Sequence, residues 1–396
     1  KRQFIARDGR EHRLVHGVMG IFGHGNVAGL GQALDEHGGR DLPYLQPKNE
    51  QAMVHTAAAF AKARRRMGTY ACTTSVGPGA TNMVTGAATA TVNRIPVLLL
   101  PGDVFANRLP GPVLQQLEAP QSQDTSVNDC FRPVSRYWDR INRPEQLLTA
   151  LPEAMRVLSD PAETGAVTLA LPQDVQAEAW EYPAHFFDAR VYAVARPRPD
   201  ADAVATAAAL LRGAQRPLIV SGGGVFYSEA EDALRALVEA TGIPVAVTQA
   251  GKGTLPDDHP RCLGALGVTG TLAANRIAAA ADLVLVVGSR LSDFTTASKT
   301  QFQHERVRFV SVNVNAADAA KHGALPLVAD ARAALADLAA ALTGHRVGAP
   351  HDHAVAEARA DWDEEREHVL HPARAAGSLL HQAEVIRILN AACGPR

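Results

Sequence analysis

Three short stretches put ligand-accommodating or reactive residues where a strand hands over to a helix. The first, FGHGN (residues 22–26), sets Gly23 and Gly25 around His24 and ends in Asn26. Glycines there let the backbone approach a ligand closely, although the same stretch also reads as a tight turn with Asn26 as a helix cap. The second, KNEQ (48–51), places Glu50 at a strand-to-helix transition, a position that the helix dipole favours for any carboxylate. The third and most distinctive is TTSVGPGATN (73–82), a turn through Gly77, Pro78 and Gly79 leading to Asn82. It offers backbone amides and small hydroxyls with almost no side-chain bulk, which suits a flat or phosphorylated ligand. No lysine follows its second glycine, so it is not a Walker loop. Each feature has an ordinary structural reading. Three of them at successive strand ends point to one shared site.

The elements that must carry these stretches follow from hydrophobic spacing. Apolar runs starting at Val18, Thr69, Ile95 and Val167 read as strands, with helices expected over 26–37, 50–66, 80–93 and 143–161. Met53, Ala57 and Phe60 lie at helical spacing in the second of these helices. Strands from Pro217, Pro244, Asp282 and Arg308, with a helix over 228–241, form a second such series. Between the two series, Pro183, Pro197 and Pro199 mark an irregular connection, with a boundary near Arg190 to Asp200. The expected fold class is α/β, with two doubly wound parallel-sheet domains, 1–190 and 191–345. A third region, 346–396, holds a charged run and then a capped amphipathic helix over 378–390 that opens a new unit. His351, His353, His368 and His371 fall in that charged, expectedly mobile run, with no cysteine nearby to make a metal site.

Composition narrows the partner class. The 396 residues give room for two or three domains of about 100–200 residues. Lysine and arginine number 39 against 41 acidic residues, so a net charge of −2 exerts no global pull toward nucleic acid or an anionic membrane. A small-molecule partner is expected. Cys72, Cys130, Cys262 and Cys393 form no C-x-x-C pair, which argues against a zinc site or disulfide framework and fits a reducing cytosol. The apolar run at 95–101 is too short for a bilayer, and the opening KRQFIARDG lacks the apolar core of a signal peptide. The expectation is a soluble, cytoplasmic protein. SGGGVF (221–226) follows a strand as a dinucleotide fingerprint would, but Tyr227 stands where its third glycine belongs.

In order and spacing, FGHGN, the NEQ containing Glu50 and TSVGPGATN resemble the pyrimidine-binding domain of thiamine-diphosphate enzymes of the acetohydroxyacid synthase type. Residues 198–342 resemble their central domain, and the end resembles the start of their diphosphate-binding domain. Within that superfamily, GIFGHGN, KNEQAMVHTAAAFAK, VLLLPGDVFANRLPGPVLQQLE and RPVSRYWDRI resemble the trihydroxycyclohexane-1,2-dione hydrolases of myo-inositol breakdown.

The resemblance implies that Glu50 bonds a pyrimidine ring nitrogen and thereby promotes formation of the cofactor ylid. The ylid would attack a ring ketone of 3D-(3,5/4)-trihydroxycyclohexane-1,2-dione, a ring C–C bond would break, and water would release 5-deoxy-D-glucuronate. Gly25, Asn26, Gly77, Pro78, Gly79 and Asn82 would contact the cofactor. His24 would contact the reacting carbonyl or relay a proton, if it is not simply a surface turn histidine. Gln115 and Gln116 are weaker substrate candidates. The resemblance also implies a homodimer or homotetramer, and Mg²⁺ held through a GDG motif and a later Asn in the diphosphate-binding domain. The sequence contains no GDG, and Gly102-Asp103-Val104 is not one. No metal ligand is therefore assigned, and the expectation is a chain lacking most of that domain. Some relatives bind FAD or ADP in the central domain, so 221–226 is either such a site or a structural turn. The rival functions are a carboligase of the acetohydroxyacid synthase or glyoxylate carboligase kind, and a catalytically silent assembly module.

Overall fold

The computed structural model describes residues 2–373, 377 and 379–393. The chain divides into two compact units, Lys1–Ala195 and Arg196–Arg396.

The first unit is built on β3 to β8, after an N-terminal hairpin of β1 (Gln3–Arg7) and β2 (Arg10–Arg13). The strands are β3 (Val15–Ile21), β4 (Tyr44–Leu45), β5 (Thr69–Thr74), β6 (Val97–Asp103), β7 (Tyr137–Arg140) and β8 (Ala166–Pro172). They form one parallel sheet in the order β4-β3-β5-β6-β8-β7. The central strands β5, β6 and β8 are almost wholly buried, which is why they read as continuous apolar runs rather than alternating ones. Helices Glu50–Ala63, Val84–Val92 and Leu147–Ser159 cover the sheet. All the loops that carry the three sequence stretches leave the carboxyl ends of β3, β4 and β5.

Several boundaries differ from those expected. The helix expected over 26–37 opens as a π-helical turn, Val27–Gly31, and becomes α-helical only at Gln32–His37. The next helix stops at Ala63 because Arg65 and Arg66 take left-handed backbone angles. The helix expected from residue 80 starts at Pro78, whose fixed φ suits a first turn, and divides into Pro78–Asn82 and Val84–Val92. The segment expected to be an irregular connection contains β9 (Arg190–Ala193), which pairs in parallel with β1 and completes a small sheet in the order β2-β1-β9.

The second unit holds β10 (Pro217–Ser221), β11 (Val245–Val247), β12 (Cys262–Ala265), β13 (Leu283–Val287), β14 (Arg308–Asn313) and β15 (Leu325–Val328). Its parallel sheet has the order β12-β11-β10-β13-β14-β15, winding outward from β10 in both directions as in doubly wound nucleotide-binding folds. Ile219, Val245, Leu285 and Val310 lie in the core on one face, Leu218, Ala246 and Val286 in that on the other.

The charged run expected to be mobile is instead a single helix, Ala349–Leu370. Its charges are not idle. Asp352 pairs with Arg261 at 2.7 Å, Asp361 and Glu357 take Arg276, and Arg359 donates to the Cys262 carbonyl at 2.9 Å and to that of His259. The buried His351 donates Nε2–H to the Pro217 carbonyl at 3.0 Å. A final helix spans Gln382–Cys393, later than the expected start, and Ser378 lies outside the described residues. All four cysteines are free. Among the described residues no helix is long and apolar enough to cross a membrane.

Candidate functional site

The site begins with two helix starts. Asn49 caps the helix Glu50–Ala63 by accepting from the Ala52 amide at 3.0 Å, so Glu50 is fixed as its first residue. Asn82 ends the short helix Pro78–Asn82 and donates Nδ2–H to Glu50 Oε2 at 2.7 Å. That bond commits one carboxylate oxygen. It leaves Oε1 beside the glycine turn, where a Cβ on Gly79 would lie 3.4 Å from it and 2.7 Å from Thr74 Oγ1. Gly77 takes φ +76, and a Cβ there would collide with the Gln115 carbonyl at 2.1 Å. Both glycines are thus required by close approach, one to a hydroxyl and a carboxylate and one to a crossing backbone.

An open recess of about 790 Å³ lies over this pair, lined by Phe22, Glu50, Thr74, Pro78, Asn82 and Gln115 among others. Thr74 is a residue that the sequence motifs did not single out. Its hydroxyl is buried and has no hydrogen-bond partner among the described residues, an arrangement that costs free energy unless something else uses it. Its signal was present in the hydroxyl-rich TTS preceding the glycine turn.

Other expected site residues take supporting places. Asn26 is buried, accepting from the Gly23 amide at 3.0 Å and donating to Thr73 Oγ1 at 3.1 Å. It makes no side-chain helix cap. The Gly25 amide donates to Ser75 Oγ at 3.1 Å. Together these bonds sew the 22–26 loop to the end of β5 and bring it to the recess, which Gly25 and Asn26 themselves do not line. Gln116 folds its side chain back to accept from the Val113 amide at 3.0 Å and also lies off the lining, whereas Gln115 stays on it with a left-handed φ of 64°.

His24 Nε2 lies 2.5 Å from the carbonyl oxygen of Leu114. A carbonyl only accepts, so Nε2 carries a proton and Nδ1 is the ring nitrogen left outside that bond.

A second polar cluster was not foreseen. Asp103, at the end of β6, is fully buried and accepts from Ser126 Oγ at 2.5 Å and from Arg140 Nε at 2.9 Å. Arg140 also donates to Asp129 Oδ1 at 3.1 Å. Burial works against the guanidinium's charge, but Asp103 and Asp129 outweigh it and hold Arg140 above its ordinary pKa.

In the second unit, the glycines of 221–226 pack against backbone. A Cβ on Gly224 would lie 2.5 Å from the Cα of Gly288, whose own φ is +62. The two turns leave β10 and β13, the switch point where doubly wound folds bind nucleotides, and they meet each other there. This supports the structural-turn reading of 221–226. Among the described residues no group of three or more His, Cys, Asp or Glu is arranged to hold a metal ion.

Comparison with known proteins gives consistent matches. Residues 11–124 match the family described as the thiamine pyrophosphate enzyme N-terminal TPP binding domain, and residues 204–338 match the thiamine pyrophosphate enzyme central domain. The chain is 53% identical over 365 residues to a 3D-(3,5/4)-trihydroxycyclohexane-1,2-dione hydrolase of Geobacillus thermodenitrificans, covering 92% of this chain and 56% of the relative. It is 50% identical over 363 residues to hydrolases of the same name from Bacillus cereus and Bacillus anthracis, with the same coverage. The chain therefore spans little more than half the length of these curated relatives.

Proposed function

Because this chain belongs, through its N-terminal and central domains, to the thiamine pyrophosphate enzymes, we propose that it contributes the pyrimidine-binding half of a C–C bond hydrolase. The substrate of this reading is 3D-(3,5/4)-trihydroxycyclohexane-1,2-dione and the product 5-deoxy-D-glucuronate, in inositol breakdown. Identity of 50–53% to hydrolases of that name over 92% of the chain supports the substrate. The observation that carries the chemistry is the Glu50–Asn82 pair beneath the glycine turn.

The residues present fit an aminopyrimidine. The cradle that a Cβ on Gly79 would fill brings together a carboxylate oxygen and the unpartnered Thr74 hydroxyl, a flat polar slot with room for a ring above it. When bound, thiamine diphosphate supplies the nucleophilic carbon and the electron sink for breaking the ring bond. Glu50 holds a proton at the pyrimidine nitrogen through Oε1, while Asn82 keeps the carboxylate turned to present it. Pro78 and Gly79 give the ring close access to backbone, and Gly77 supports them by admitting the Gln115 carbonyl that brings Gln115 to the recess. His24, tethered through Nε2, takes or returns a proton at the substrate oxygen through Nδ1. Gln115 contacts substrate from the rim. Mg²⁺ and the diphosphate are held by groups other than the described residues, and the site is completed in a cytosolic homodimer or homotetramer.

The test is an assay of the protein at its full natural length with thiamine diphosphate and Mg²⁺. The cyclic dione should be hydrolysed and pyruvate or glyoxylate left without carboligation. Carboligation, or no turnover of any of them, would contradict the reading.

A further inference from the structure

The segment 104–125 contains no helix or strand, yet it reaches the site at two points. Its Leu114 carbonyl accepts a hydrogen bond from His24 Nε2, and the Gln115 backbone lies against Gly77. The two ends of the segment are tied to each other by buried charge. At one end, Asp103 accepts from the Val104 amide at 2.8 Å and from Ser126 Oγ at the other end. Ser126 in turn donates its amide to Asp129 Oδ2 at 3.0 Å. One guanidinium closes the ring, since Arg140 bonds Asp103 through Nε and Asp129 through Nη2. Further along, Asp174 accepts from the Ala106 and Asn107 amides at 2.9 and 3.0 Å, and Arg108 pairs with Asp124 at 3.1 Å. Charge-assisted bonds of this kind are roughly twice as strong as neutral ones, and only folded geometry assembles them.

We propose that Asp103, Ser126 and Arg140 are positioning residues that clamp the ends of segment 104–125, so that Leu114 holds His24 as its Nε2–H tautomer. None of the three lines the recess, so their effect on chemistry runs through the segment. The use made of His24 rests on the functional reading above. The clamp itself does not.

The test reads the tether without assaying hydrolysis, so its failure and that of the functional reading are separable. Ring-nitrogen NMR of the histidines, with His24 assigned by its loss in His24→Gln, should show His24 as a single Nε2–H tautomer in the wild type. Ser126→Ala and Arg140→Lys should both convert this to the mixed pattern of an untethered imidazole while leaving the far-UV spectrum unchanged. Limited trypsin cleavage after Arg108, where Leu109 is exposed, should quicken about tenfold, as losing about 1.4 kcal/mol of anchoring would produce. Folded variants with an unchanged His24 pattern and unchanged cleavage would overturn the proposal. Failure of both variants to fold would overturn it too, by assigning the cluster to global stability.

Discussion

Asn82 donates a 2.7 Å hydrogen bond to Glu50 across 32 residues of sequence, joining the end of one short helix to the start of another. This bond fixes which carboxylate oxygen remains available. A bond to a charged group is worth about 1.5–3 kcal/mol, and each 1.36 kcal/mol is tenfold in rate. Asn82→Ala should therefore slow deuterium exchange of the cofactor C2 proton by about 10- to 100-fold. Exchange at the wild-type rate would mean that Glu50 needs no orientation.

Thr74→Val should raise the melting temperature of the cofactor-free protein, because it removes a buried hydroxyl that has no partner at nearly constant volume. The expected gain is about 1 kcal/mol, read by urea denaturation. The same variant should bind thiamine diphosphate less well. A loss of stability would show that the hydroxyl is already satisfied.

Gly79→Ala should act in the opposite sense. Its Cβ would lie 2.7 Å from Thr74 Oγ1, and overpacking of this kind costs about 1–3 kcal/mol. The double variant Gly79→Ala with Thr74→Val should not recover cofactor binding, since the cradle stays filled. Recovery measured by calorimetry would contradict the assignment of that space to the ring.

Burial pushes the His351 imidazole below the usual histidine range, against the raising effect of its bond to the Pro217 carbonyl. Its contribution to stability is then fully present above about pH 6.5 and is lost as pH falls from there toward the depressed folded value, because the unfolded state binds the proton more readily. His351→Gln keeps a donor for Pro217 and removes the titration. Denaturation at pH 7.5 and pH 5.5 should show a smaller loss in the variant than in the wild type, by at most about 1.4 kcal/mol per pH unit. Equal losses would remove His351 from the acid response, leaving it to His16, His259 and His345, which burial shifts the same way.

What the sequence revealed depended on how local its cause was. The buried strands β5, β6, β8 and β13 announce themselves as unbroken apolar runs, and Glu50, Gly77, Gly79 and Asn82 were legible because turn chemistry is written in neighbouring residues. The strand β7, with the sequence YWDR, lies half-buried at the sheet edge and has no apolar run to read. The helix Ala349–Leu370 looked unpartnered because the arginines that match its carboxylates, Arg261 and Arg276, lie far back in the chain. The N-terminal hairpin carries its own signal in Asp8-Gly9, both with positive φ, which a search for longer apolar runs passes over. Asp103, Ser126 and Arg140 meet only through folding, and no periodicity links them.

The proposed handling of the pyrimidine proton by Glu50 is open to a single substitution, Glu50→Gln. The amide is nearly isosteric but cannot stabilise a protonated pyrimidine, and a positioned acid–base group contributes about 10²–10⁴ in rate. If Glu50 served only the helix dipole, its loss would cost about 0.3–1 kcal/mol of stability and nothing specific in turnover. The decisive measurement is the rate of cofactor C2 proton exchange, followed by NMR after a deuterium pulse in the full-length protein with Mg²⁺. The predicted result is exchange slowed at least about 100-fold with a melting temperature near that of the wild type. Exchange at the wild-type rate would contradict that role for Glu50.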